Sequence, residues 1–273
     1  SDPSHPREAA MPTPSILARF TLRAAATALG LISLLCLTGP ALAADDVATL
    51  LADADRYRTG SDNLVVETQV SVFGRDGSLD KERRYTVYAQ GGHRSLVLMR
   101  SPAEAGQKVL MLGDDFWLVM PGSQRPMRIT PMQKLLGDAS TGDIATLRWA
   151  GDYTGQLVGE EPCTTDAKAP MCLHLSLQAA RKGVTYQRIE LWIGKAHHEP
   201  VRADLFVQSD KLAKQARFVV DKNAKPASVS EMVLMDQLSN KKETRIKYLA
   251  RKDRTVPGEW LNPMFLARNT TLE

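Results

Sequence analysis

The sequence predicts a mainly β protein of the α+β class, built as an antiparallel barrel or a strongly curved sheet. Three observations support this prediction. Apolar and polar residues alternate with a period of two in many short segments. Turn-forming Gly, Asp, Asn and Ser residues separate these segments. Roughly ten to twelve such segments follow one another without the regular helices that βαβ units require.

A single short helix is expected before the strands begin. Apolar residues recur at helical spacing over residues 47–57, and Asp45 and Asp46 suit a helix N-terminus. Gly60 ends the pattern. In the middle of the chain, residues 131–136 are expected to form one or two helical turns, and residues 137–142 a mobile loop.

The strands follow in two groups. Residues 64–72 and 85–89 alternate on either side of a Gly-containing turn, which is typical of a β-hairpin. Further strands are predicted at residues 96–98, 109–112, 116–120, 173–179, 189–193, 201–207, 216–220 and 246–250.

Residues 1–43 are predicted to be an N-terminal extension followed by a cleaved signal peptide. Arg19 and Arg23 precede an uncharged stretch with an apolar centre at residues 24–37, which is shorter than a membrane span. Ala41-Leu42-Ala43 then supplies a signal-peptidase site, with cleavage between Ala43 and Ala44. An uncleaved membrane anchor is the alternative. Residues 44–273 are long enough for one domain with a sizeable core.

Two cysteines of the domain, Cys163 and Cys172, flank a polar, turn-rich segment. An even number of cysteines in an exported protein favours a disulfide, and two free thiols are the alternative. A metal site is not expected, because His174 is the only other soft ligand nearby and zinc usually takes four ligands.

No catalytic motif is found. His197-His198-Glu199 adjoins Pro200 at a predicted turn, where the two histidines would not share a metal. No sequence pattern places a nucleophile beside a base or builds a phosphate-binding loop. A formal net charge of +4 without long basic runs argues against a nucleic-acid partner. The sequence therefore predicts a non-enzymatic protein without a cofactor, and an unrecognised hydrolase is the remaining enzyme hypothesis.

Methionines concentrate between residues 99 and 132, where five of the ten in the chain lie. Methionine is common where a surface fits variable apolar partners, although it also fills gaps in ordinary cores. Alternation favours Met111, Trp117 and Val119 as inward-facing. The residues predicted to line a lipid-binding cavity are Met99, Met111, Trp117, Val119, Met127 and Ile129.

The order of several motifs resembles the periplasmic LolA-like proteins, the outer-membrane lipoprotein-sorting family. The main match is Trp117-Leu-Val-Met-Pro121, followed by Arg125-Pro-Met-Arg-Ile-Thr130. In place of the family's G-S-D-F segment this chain has Thr141-Gly-Asp-Ile144, and the cysteine-containing insert at residues 162–170 has no counterpart in the pattern. Other matching segments are residues 186–193, 199–206, 226–235, 244–246, 256–261 and 265–266.

The resemblance implies a half-open antiparallel β-barrel of roughly eleven strands with a helical lid, and a hydrophobic cavity for acyl chains. It implies a periplasmic carrier that binds a lipid or an acylated lipoprotein and serves lipid trafficking or an inner-membrane exporter. The alternative is an interaction or sensor module that docks on a membrane partner without carrying cargo.

Overall fold

The computed structural model describes residues 44–236 and 243–272. The predicted signal peptide, residues 1–43, lies outside this part of the chain. The described residues contain three α-helices: α1 (Ala44–Arg56), α2 (Thr141–Ala145) and α3 (Pro263–Arg268). The strands are β1 (Leu64–Phe73), β2 (Leu79–Gln90), β3 (Arg94–Met99), β4 (Lys108–Leu112), β5 (Asp115–Val119), β6 (Met127–Ile129), β7 (Lys134–Leu136), β8 (Ala139–Ser140), β9 (Tyr153–Pro162), β10 (Met171–Ala179), β11 (Arg188–Gly194), β12 (Pro200–Phe206), β13 (Leu212–Asp221), β14 (Ser228–Asp236) and β15 (Glu243–Asp253).

Thirteen strands form one antiparallel sheet in the order β6-β5-β4-β3-β2-β1-β15-β14-β13-β12-β11-β10-β9. Two meanders meet where β1 pairs with β15, for example at Val70 and Ile246. The edge strands β6 and β9 do not pair with each other, so the sheet is not closed into a barrel. This confirms the half-open antiparallel fold. The sheet has more strands than the predicted eleven, partly because the glycines and glutamates of β9 weaken its alternation.

The concave face of the sheet carries the main hydrophobic core. Alternate residues of the strands point into it, as expected for a period of two. Helix α1 places Val47, Leu51 and Ala54 in this core, and α2 adds Ile144 and Ala145. The predicted N-terminal helix is confirmed, and it packs across the concave face as a lid.

The segment from residue 131 to residue 145 differs from the prediction. It contains β7, β8 and the capped helix α2 rather than helical turns and a mobile loop. Gly137 has a φ of +56°, and a Cβ there would lie 2.5 Å from a methyl group of Val72. Small residues are therefore needed because this segment is inserted against the sheet, and composition alone suggested a loop instead.

A second hydrophobic cluster covers the convex face of β2 to β5. The short 3₁₀ turn Gly258–Leu261 and α3 pack onto this face. The Trp260 ring meets Tyr88 edge-to-face, with the ring centroids 5.6 Å apart. This C-terminal cover explains why one side of β4 and β5 is buried away from the concave core.

Candidate functional site

Most of the concave face is filled by the protein itself. Under α1 and α2 the remaining inner cavity has a volume of about 40 Å³, and Arg58, Asp143, Trp149 and Phe218 contribute to its wall. That volume leaves room for little more than a water molecule or two. In the described part of the chain, the space beneath α1 and α2 is therefore much smaller than the central hollow that the carrier hypothesis invited, and larger spaces lie at one end of the sheet.

The most apolar of these spaces, the end cavity, has a volume of about 630 Å³. It lies between the β9–β10 loop, the β11–β12 turn and the end of β13. Its volume falls within the range of about 300–1,000 Å³ that is usual for small-molecule sites. Among its lining residues are Pro170, Met171, Pro200, Val201, Phe218 and Val220.

A disulfide holds one wall of the end cavity. Cys163 and Cys172 are bonded with their Cα atoms 4.9 Å apart, which confirms the predicted pair. Both cysteines are buried with Trp192 in a small cluster on the face of the sheet opposite the main core. The His174 ring stacks on the Trp192 ring, with the two centroids 4.3 Å apart. The guanidinium carbon of Arg202 lies 3.5 Å from the Trp192 ring centroid. The insert is therefore an ordered wall.

The C-terminal half of α1 is attached to the same end of the sheet. The Asp53 carboxylate contacts Nδ1 of His198 at 2.7 Å. The Tyr57 hydroxyl donates to the carbonyl of His197 at 3.0 Å. The amide of Val229 donates to the carbonyl of Tyr57 at 2.7 Å. His197 and His198 do lie in a turn, as predicted, and this turn anchors the lid helix.

Asp55 attaches α1 to the segment that follows α2. Its buried carboxylate accepts hydrogen bonds from the amides of Trp149 and Ala150 at 2.8–2.9 Å. Burial raises the pKa of Asp55 to about 6, although the Arg58 charge and the two amides act in the opposite direction. The contact that ties α1 to the segment after α2 therefore titrates close to neutral pH.

A buried ion pair holds α2. Nζ of Lys214 lies 2.7 Å from the Asp143 carboxylate, and both side chains are almost fully buried. The same carboxylate accepts from the Tyr186 hydroxyl at 2.7 Å and from the amide and hydroxyl of Ser140, which caps α2. Burial alone would raise the pKa of Asp143, but Lys214 and these hydrogen bonds outweigh it and hold the pKa below its usual range.

The six predicted cavity residues are divided between both faces. Met99 and Met111 are buried in the concave core, and Ile129 packs against it half-buried. Met111 also lines a cavity of about 180 Å³ near the β2–β3 turn. Met127 is 47% exposed on the edge strand β6. None of the six lines the end cavity.

Trp117 and Val119 face the convex side, so the prediction that they point inward with Met111 is wrong. In the β4–β5 hairpin Met111 pairs with Phe116, and Leu110 pairs with Trp117. Directly paired residues lie on the same face of a sheet, so Met111 shares its face with Phe116 and not with Trp117. The C-terminal cover then buries Val119 and part of Trp117.

The charged residues of the site were not found from sequence. The sequence around Asp55 and Arg58 is that of an ordinary helix end, and the sequence around Lys214 is that of an ordinary strand. Neither pattern marks these residues as part of a site. Asp143 lies within the four residues that resembled the family's G-S-D-F segment, which was the one available signal.

Within residues 44–236 and 243–272, no group of three or more His, Cys, Asp or Glu side chains is placed to hold a metal ion. None of the three helices in the same ranges has the length and hydropathy needed to cross a bilayer.

Several solved structures share the fold of this chain. A LolA superfamily protein from Nitrosomonas europaea is 28% identical, with a TM-score of 0.71 and coverage of 78% of this chain and 96% of that chain. A DUF1329 family protein from Desulfovibrio piger is 21% identical, with a TM-score of 0.64 and coverage of 80% and 97%. A putative outer membrane lipoprotein-sorting protein domain from Vibrio parahaemolyticus is 15% identical, with a TM-score of 0.63 and coverage of 83% and 100%.

A family model with the description "Uncharacterized protein" matches residues 91–268. The chain belongs to that family, and its fold is LolA-like. No curated protein gives a significant match. The LolA-like comparison confirms the resemblance carried by the tryptophan motif. In this LolA-like chain the motif's Trp117 lies on the convex face, beneath Arg128, whose guanidinium is 4.5 Å from the ring centroid.

Proposed function

We propose that the protein binds the acyl chain of a lipid or of an acylated lipoprotein in the end cavity and acts as a carrier without catalysing a reaction. The observation that carries this proposal is an apolar cavity of about 630 Å³ beside the anchored end of a lid helix. The LolA-like fold supports it, since one similar structure is described as a lipoprotein-sorting domain.

Binding in such a cavity is driven by burial. Each methylene group removed from water contributes about 0.8 kcal/mol, so about ten buried methylenes would supply roughly the 8 kcal/mol of a micromolar Kd without strong polar contacts, before the entropy cost of binding is subtracted. Longer chains need more room than the end cavity offers. Displacing α1 would uncover Val47, Leu51 and the core beneath them. We therefore propose that α1 moves when a long chain is loaded.

Displacement of a fluorescent fatty acid tests the carrier proposal, and native mass spectrometry checks for bound lipid. Met171→Arg places a charge at the rim of the end cavity, where Met171 is 41% exposed, and should weaken binding at least tenfold while the fold is kept. Met127→Arg is the matched control, since Met127 is similarly exposed but lies on β6, outside the cavity. Equal binding by both variants, or no saturable binding by the unmodified protein, would contradict the proposal.

We propose further that the protein works in the periplasm after residues 1–43 are removed as a signal peptide, and that residues 44–273 are one domain. The disulfide between Cys163 and Cys172 supports an oxidising compartment. N-terminal sequencing of the protein from a bacterial periplasmic fraction should give Ala44 as the first residue. Recovery of the uncleaved chain in the membrane fraction would support the anchor alternative.

The filled centre of the concave face favours a second candidate function. A module that docks on an inner-membrane exporter or another envelope protein needs no large cavity. Cross-linking in cells distinguishes the two: a membrane partner captured equally by the unmodified protein and by Met171→Arg would indicate docking without cargo. A partner captured only when the end cavity is intact would connect docking to loading.

A further inference from the structure

A second space, the basic cavity, lies at the same end of the sheet as the end cavity, and Tyr57 forms part of its wall. It has a volume of about 550 Å³ and separates the end of α1 from the ends of β1, β14 and β15. Its lining is more polar than that of the end cavity. Among the side chains that line it are Tyr57, Arg58, Lys225, Tyr248 and Arg251.

Arg58 forms the inner wall of the basic cavity. The residue is 7% exposed, and its guanidinium carbon lies 4.0 Å from the ring centroid of Trp149. Nη2 donates a long hydrogen bond of 3.4 Å to the carbonyl of Thr146. Nη1 is buried without a hydrogen-bond partner within the described part of the chain. Burial raises the pKa of Tyr248, and the charge and hydrogen bonding of the Arg58 side chain oppose this rise, so Arg58 interacts with the wall of the cavity that Tyr248 forms. A buried charged donor without a partner costs free energy, and an anion bound beside it would remove that cost.

Arg251 brings a second guanidinium to the same cavity. It lies 4.8 Å from the Tyr248 ring centroid and donates from Nη2 to the carbonyl of Val229. Its Nε is also buried without an acceptor among residues 44–236 and 243–272. Burial lowers the pKa of Arg251; Tyr248 acts in the opposite direction, and the positive charge of Arg58 adds a smaller lowering. Both arginines line the basic cavity, so their positive charges are brought to the same space.

Carboxylates do not balance the charge of the cavity, because Asp221 and Asp253 line it together with a larger number of cations, which are Arg56, Arg58, Lys225, Arg251 and Lys252. Asp55 accepts hydrogen bonds from the amides of Trp149 and Ala150, and although burial raises its pKa to about 6, the Arg58 charge acts against that rise. Asp221 at the rim accepts from the amides of Asn223 and Ala224. Lys225 is exposed at the mouth and adds a further positive charge. The cavity therefore keeps a positive excess that an anion would balance.

We infer that the basic cavity binds a phosphate group, with Arg58 and Arg251 as its main ligands. Guanidinium groups donate paired hydrogen bonds to phosphate oxygens, and a partly buried site strengthens them. The volume of the cavity admits a phosphate with a glycerol or similar substituent. The phosphate can come from the headgroup of an anionic lipid or from a small soluble phosphate. Only the lipid source rests on the proposed carrier function.

Isothermal titration of the purified protein with three probes tests the inference. These are inorganic phosphate, dihexanoyl phosphatidylglycerol and zwitterionic dihexanoyl phosphatidylcholine. Phosphatidylglycerol should bind at least tenfold more tightly than phosphatidylcholine and should be displaced by inorganic phosphate if the source is a lipid. Binding of inorganic phosphate with no preference for phosphatidylglycerol would assign the site to a soluble phosphate.

Variants separate this site from the end cavity. Arg251→Gln should weaken phosphate binding at least tenfold, and Lys225→Gln about two- to threefold. Arg58 is left unchanged, because its guanidinium also packs against Trp149 and replacing it would disturb the core. Arg217→Gln on the exposed face of β13 is the charge-matched control and should have no effect. Met171→Arg should weaken lipid binding but leave inorganic phosphate binding intact. No binding of either anionic probe, or binding that Arg251→Gln does not change, would overturn the phosphate site and leave the carrier proposal standing.

Discussion

Replacing Lys214 by methionine is expected to lower the free energy of unfolding by about 3–5 kcal/mol at pH 7. The side chains of Lys214 and Asp143 are 4% and 3% exposed, with Nζ and Oδ2 2.7 Å apart. Removing one partner of such a buried pair leaves the other charge without compensation, and breaking buried pairs typically costs this much. In a domain of this size each kcal/mol shifts Tm by about 2–4 °C, so Tm should fall by roughly 6–20 °C.

The pH dependence identifies the cause. In the unmodified protein the pKa of Asp143 lies below its usual range, so its stabilising contribution is present at neutral pH and is lost as the pH falls through the acidic range. Without Lys214, burial should raise that pKa, and ionisation then costs stability as the pH rises. The stability difference between the two proteins should therefore widen from pH 5 to pH 8.

Urea denaturation at several pH values measures these differences. Asp143→Asn combined with Lys214→Met should be more stable at pH 7 than Lys214→Met alone, because no buried charge remains. Lys195→Met is the matched control: Lys195 contacts Glu160 at 2.6 Å, but both side chains are about half exposed, so the loss should stay below about 1 kcal/mol. A loss below 1 kcal/mol for Lys214→Met, or a double variant less stable than the single one, would refute the reasoning.

Three further changes have expected outcomes. Replacing both Cys163 and Cys172 by serine should lower stability by about 2–3 kcal/mol in urea denaturation, because the bond closes a short loop, and adding reductant to the unmodified protein should give the same loss. The pKa of Asp55 is raised to about 6, so its ionisation costs stability as the pH rises. The free energy of unfolding of Asp55→Asn, relative to that of the unmodified protein, should therefore increase by about 2 kcal/mol from pH 4 to pH 7. Parallel pH curves for the two proteins would contradict this. Gly142→Ala should cost about 1–3 kcal/mol in thermal denaturation, since the new methyl group would lie 1.9 Å from a threonine hydroxyl, whereas Gly258→Ala meets no atom within 4 Å and should cost far less.

The main outline of the fold could be predicted from the alternation of apolar and polar residues. Strands such as β1, β10 and β11 repeat this alternation cleanly, and α1 shows helical spacing with acidic residues at its start. These signals are local and do not depend on what packs against the element. The half-open arrangement came from the resemblance to LolA-like proteins, because the alternation alone also fitted a closed barrel.

Two aspects of the site depend on tertiary contacts and could not be predicted in this way. The hairpin register, in which Leu112 pairs with Asp115, determines which side chains of β4 and β5 share a face of the sheet. One additional residue in the turn would move Trp117 to the opposite face. The end cavity and the basic cavity are formed by turns from distant parts of the chain. Met171 and Arg251 carry no local signal of the spaces that they line, whereas the methionine-rich segment drew attention to a different part of the sheet.

The pairing of β1 with β15 also determines how the protein can assemble. Strands β1 to β6 and strands β9 to β15 each join neighbours in sequence, so each half can form from short hairpins. Only the central seam, where Val70 meets Ile246, requires segments far apart in the chain to find each other. Such distant closure is slow compared with hairpin formation. A polypeptide that emerges from its N-terminus, at a ribosome or through a membrane pore, therefore leaves the seam edge of β1 unpaired until β15 arrives. During that interval β1 is the strand most in need of protection from pairing with another molecule.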